Sequence, residues 1–63
     1  MNLSTHEPLN LGNEDLAILA ELLESERVKL LVEIRHTQHR AYREELRRRL
    51  DSVERLAERC RTN

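Results

Sequence analysis

Phenylalanine and tryptophan are absent, and Tyr42 is the only aromatic residue among 63. The chain therefore has no aromatic core to build, and no stacking platform for bases beyond Tyr42. One glycine, Gly12, and one proline, Pro8, both lie near the N-terminus. The rest of the chain lacks the turn residues that β hairpins require, which argues against strands. Cys60 is the only cysteine, so no intrachain disulfide can form, and such usage suits a reducing compartment. Long apolar runs are missing as well. No basic-then-apolar signal opens the chain, and no run approaches the ~20 residues of a membrane span. A soluble cytoplasmic protein with no membrane association is expected.

What remains is helix-forming. Ala, Glu, Lys, Leu and Arg supply 37 of the 63 residues, a composition of long helices and coiled coils. Net charge is only −1, but residues 1–34 carry −5 and residues 35–63 carry +4. One half is suited to attract the other. A chain this short buries only about 60% of its unfolded surface, so a lone folded chain is marginal. Self-association is the first remedy to consider and metal the second.

Residues 1–12 lack periodicity through most of their length and are expected to form a flexible N-terminal arm. The hairpin domain then covers 13–63. Gly12 or Asn13 can cap the first helix, with Glu14 and Asp15 in the first turn where the helix dipole favours negative charge. Leu11 is placed to staple onto Leu16.

From there Leu16, Ala20, Leu23, Arg27, Leu30 and Ile34 recur at alternating spacings of four and three. This is a coiled-coil-type seam. Ile18, Leu22, Val28 and Val32 lie outside it on the helical wheel. A helix apolar on more than one face needs a second covering surface, so these four residues are read as a dimer interface. The second segment is simpler. His39, Tyr42, Leu46, Leu50, Val53, Ala57 and Cys60 form one narrow stripe, and the rest of its surface is charged. Glu44 with Arg48, Glu45 with Arg49 and Asp51 with Arg55 are spaced for pairing along the helix.

The two stripes are out of line on one continuous helix, which predicts a break near residues 35–40. The expected fold is all-α: an antiparallel helical hairpin with helices over about 13–36 and 38–61. Thr37 is the expected N-cap of the second helix. Turning at His36-Thr37-Gln38 brings Leu23 to Leu50, Arg27 to Leu46 and Leu30 beside Tyr42. It also brings Glu26 towards Arg49 and Glu33 towards Arg40. Two hairpins then dimerise into a four-helix bundle, with helices crossing at about 20°.

Three functional readings compete. The corner holds Glu33-Ile-Arg-His36, a Glu-x-x-His pattern that sets both side chains on one helical face, with His39 three residues on. In di-metal four-helix bundles such motifs from two helices join glutamates from two others, here Glu24 or Glu26. Glu33, His36 and His39 are therefore the candidate metal ligands. The blander assignment makes Glu33 a surface partner of Arg40 and His36 a cation in the last helical turn. It makes His39 a cover for Ile34.

The arginines of the second helix, Arg47-Arg48-Arg49 with Arg40, Arg43, Arg55 and Arg59, raise a second reading, an RNA-binding hairpin. Five interleaved acids favour a solvated, ion-paired face instead. Catalysis has least support. A nucleophile needs a neighbouring base held by a third group. Cys60 stands ~35 Å along the helix from His36 and His39 at 1.5 Å per residue. No catalytic residue and no cofactor are assigned.

The third reading is preferred: a non-catalytic interaction module acting as a homodimer, an adaptor or regulator whose function lies in the protein it binds. Arg27, charged within an apolar seam, is expected to pair with a carboxylate across the dimer and to set its register.

Overall fold

The computed structural model describes residues 11–62. Two helices, α1 (Asn13–His36) and α2 (Arg40–Thr62), pack against each other as an antiparallel hairpin. The expected arm lies outside the described residues except for Leu11 and Gly12, as does His6.

Gly12 opens α1 from an extended backbone, φ −75° and ψ 174°, and its carbonyl accepts from the Leu16 amide at 2.9 Å. No side chain caps this end. Glu14 and Asp15 instead place negative charge beside the free amides of the first turn. The other end of α1 is closed by geometry, not by glycine. Thr37 turns extended, φ −86° and ψ 143°, and its amide still donates to the Glu33 carbonyl at 2.9 Å. Arg35, with His36 beside it, then carries positive charge at the carboxyl end, the favourable sense of the dipole.

The turn differs from expectation by about two residues. Thr37 closes α1 and does not cap α2. The carbonyl of His39 accepts the first bond of α2, from the Arg43 amide at 2.9 Å, so His39 occupies the N-cap position. Helix α2 accordingly runs over 40–62 and not over 38–61. The physical reason is the extended linker 37–39: reversing direction between two packed helices takes more chain than the single residue, Thr37, that helices over 13–36 and 38–61 leave between them.

The longer corner shifts the pairing. Leu30, Leu46 and Val53 form the buried cluster, with Leu23, Ile34 and Leu50 packed against it. Leu46 thus belongs to one cluster with Leu30, and the guanidinium of Arg27 is taken up by Glu24 on its own helix. Glu33 meets Tyr42 and not Arg40. Glu26 does meet Arg49, as expected from the charge asymmetry of the two halves.

Burial is sparse. Only Leu30, Leu46 and Val53 are buried among the described residues, and no polar residue is. No helix there is long and apolar enough to cross a membrane.

Candidate functional site

Three places merit a functional reading: the histidine corner, the arginine face of α2, and the outer face of α1.

At the corner, Arg43 dominates. Its Nη2 donates to the Thr37 carbonyl at 2.7 Å, which ties the first turn of α2 back onto the linker. Its Nε is enclosed without a hydrogen-bond partner. Tyr42 and Arg43 flank the α2 stripe on opposite sides. The hairpin half-buries Arg43 and leaves Tyr42 46% exposed, so Tyr42 is not a seam residue of the kind its spacing suggested. His39 is exposed as well. A tyrosine can be left in water with its hydroxyl near a carboxylate, and here that hydroxyl donates to Glu33 Oε2 at 3.5 Å.

The candidate metal ligands stand apart in their bonding. His36 uses Nδ1 on the Val32 carbonyl of its own helix, at 2.9 Å. A carbonyl only accepts, so this nitrogen carries the proton. Glu33 is turned to Tyr42. Among the described residues, no three of His, Cys, Asp and Glu gather closely enough to hold a metal ion. His36 thus spends its Nδ1 proton on the last turn of its own helix.

The arginine face is partly spent inside the chain. Arg49 pairs with Glu26 at 2.8 Å, Arg55 with Asp51 at 2.6 Å, and Arg43 closes the corner. Of the three pairs expected along α2, only Asp51 with Arg55 forms. Arg49 reaches across to Glu26 in place of Glu45, and Arg48 does not bond Glu44. Exposed pairs at this spacing are worth so little that a competing carboxylate across the seam decides the choice. The Glu26 bond raises the Arg49 guanidinium above its ordinary value.

Arg27 also finds its carboxylate at home. Nε and Nη2 grip both oxygens of Glu24, at 3.0 and 2.7 Å, on the same helix. The hydrogen bond and the charge of Glu24 hold Arg27 above its usual value, and Arg27 in turn holds Glu24 below the usual carboxylate range. The expected partner across a dimer is therefore not required to satisfy this arginine. At the open end of the hairpin Arg61 pairs with Glu58.

No known protein family, characterised protein or solved structure matches the chain. What distinguishes the hairpin is its own surface.

That surface is most unusual along α1. Ile18 is 54% exposed, Leu22 62%, Val28 47% and Val32 50%. These are the four residues read as an interface from the sequence, and all lie outside the seam. Leu31 on α1 and Leu56 on α2 are further large apolar side chains in water. Near the start of α1, Leu11, Asp15, Ile18, Leu19 and Leu22 line a shallow, mostly apolar hollow. The seam itself holds Leu16, Ala20, Leu23, Arg27 and Ile34 half-buried on α1, and Leu50, Ala57 and Cys60 half-buried on α2. Sequence reasoning missed Arg43 as the corner residue. Its signal was available: position 43 flanks the stripe as closely as position 42, and the long arginine stem can lie along apolar surface while its head reaches a carbonyl.

Proposed function

We propose that the protein is a non-catalytic helical interaction module that works as a homodimer, two hairpins associating through their first helices into a four-helix assembly. One observation carries this reading. Ile18, Leu22, Val28 and Val32 are all about half exposed or more, on a helix whose opposite face already packs on α2. Large apolar side chains gathered on one exposed face in this way mark an interaction site. The small core points the same way, since three buried side chains are few for a stable chain of this size. Dimerisation removes the four residues from water at about 25 cal/mol per Å².

The role is that of an adaptor or regulator, with its effect exerted through the protein it binds. Arg47 and Arg48 of α2, without partners among the described residues, are free to meet an acidic surface on that protein.

Sedimentation equilibrium tests the reading. The native chain is expected to sediment as a dimer at micromolar concentration, and Ile18→Glu with Val32→Glu to sediment as a folded monomer. A native chain that stays monomeric with its helicity intact removes the proposal.

A further inference from the structure

The outer face of α1 has an internal symmetry that specifies how a second copy sits on it. Ser25 is exposed midway along that face. Ile18 lies seven residues before it and Val32 seven after, so the three fall on one line two helical turns apart. Leu22 lies three residues before and Val28 three after, one on each flank of that line. Read in either direction from Ser25, the face presents the same order: a small polar centre, an apolar flank, then a β-branched side chain on the midline.

Charge breaks the symmetry in a useful way. Glu24, Glu26, Glu33 and Arg27 are engaged inside the hairpin. The charges of α1 without partners among the described residues divide cleanly. Glu14, Asp15 and Glu21 precede Ser25, and Lys29 and Arg35 follow it. Glu21 and Lys29 are each four residues from Ser25, and Asp15 and Arg35 are each ten.

We infer that a second copy of this chain packs on this face with the two α1 helices antiparallel and their two-fold axis at Ser25. The inference rests on the homodimer proposed above and adds its orientation. A two-fold interface brings one patch against itself in reverse order. Ile18 then meets Val32 of the partner subunit, and Ser25 meets its own copy, small enough for close approach of the backbones. Leu22 lies under the stem of Lys29 of the partner subunit, and Val28 lies beside the partner's Glu21. Each acidic half runs level with a basic half, and the helix dipoles oppose. A parallel pair would set acid beside acid and base beside base, which repels.

The same argument orders the four helices. Helix α1 has two apolar faces and so takes two neighbours, whereas α2 has one stripe and a charged remainder. The α1 helices form the inner pair, and each α2 lies on the far face of its own α1, so the four helices stand in an open row.

Disulfide trapping tests the orientation. Ile18→Cys and Val32→Cys are made separately, each with Cys60→Ala, and both altered positions are exposed enough to leave the hairpin folded. Mixed and oxidised, they are expected to give the mixed disulfide between 18 and 32. Ile18→Cys alone gives no dimer, because the two copies of position 18 lie about 21 Å apart along the antiparallel pair. Glu21→Lys is expected to weaken the dimer several-fold at low salt, and Lys29→Glu in the same chain to restore it. Homodisulfides at 18 and at 32 overturn the antiparallel orientation while leaving the homodimer standing. A dimer that forms no disulfide at either position also overturns this interface alone. Sedimentation of the native chain as a monomer overturns both the interface and the homodimer.

Discussion

Arg49 Nε donates to Glu26 Oε2 at 2.8 Å, and among the described residues this is the one ion pair that crosses from α2 to α1. It joins the acidic half of the chain to the basic half. Both side chains keep contact with water, at 66% and 31% exposure, so the pair orients the helices more than it stabilises them. Arg49→Gln is expected to lower the melting temperature slightly at low salt. In 1 M salt, where the screening length is about 3 Å, the difference from the native chain should vanish. A difference that persists unchanged would assign Arg49 a packing role.

Leu30 is the most buried side chain, at 2% exposure. Leu30→Ala removes its contacts and leaves a cavity between the helices, at a cost of about 2–5 kcal/mol. In so small a core this is comparable with the whole reserve, about 3–5 kcal/mol. Loss of helicity at room temperature, followed by circular dichroism, is the expected result. Leu30→Met should remain folded, with a urea midpoint only modestly lowered.

Arg43 closes the corner through the Thr37 carbonyl. Arg43→Ala removes a charge-assisted bond and the stem that covers the linker, at about 1.5–3 kcal/mol. Hydrogen exchange should locate the effect: the amides of Thr37 and Arg43 lose protection before those of the Leu46 and Val53 layer. Uniform loss along both helices would contradict a local role.

Gly12 is a cap without a side chain. Its φ of −75° suits any residue, and an added Cβ meets nothing within 4 Å. Gly12→Ser supplies a hydroxyl for the free amides of the first turn and stiffens the unfolded chain. A gain of about 0.5–1 kcal/mol is expected, read as a higher urea midpoint with an unchanged slope.

Glu24 predicts the acid limb of stability. Arg27, first by hydrogen bond and then by charge, holds this carboxyl below its ordinary value of 4.5. As pH falls, the unfolded chain takes up this proton before the folded one does. The contribution is therefore present above pH 4.5 and is lost as pH drops through the lowered value. Glu24→Gln should flatten this part of the melting curve against pH, measured at low ionic strength. A native chain whose melting temperature holds steady from pH 5 down to pH 2 would count against the pair.

Much of the fold was legible in the residues. The spacing of Leu16, Ala20, Leu23, Leu30 and Ile34 marked the inner face of α1, and Leu46, Leu50, Val53 and Ala57 that of α2. The bounds of α1 were readable from its cap residues and the break between the two stripes, and the exposed Ile18, Leu22, Val28 and Val32 from helical periodicity. So was the attraction of Glu26 for Arg49.

The corner was not. Whether Thr37 caps α2 or closes α1 turns on a linker of three residues, and neither assignment changes the pattern of apolar side chains. Tyr42 and Arg43 sit equally close to the stripe, and only the relative rotation of two packed helices selects Arg43. Ion partners are chosen the same way. Arg49 had Glu45 in reach along its own helix and Glu26 across the seam, at nearly equal energy, so the choice fell to where the backbones came to rest. Helices and their greasy faces follow from sequence because periodicity acts over whole segments and its contributions add. Register, corner and salt-bridge partners belong to the tertiary structure, because each is a small difference between alternatives that only packing can separate.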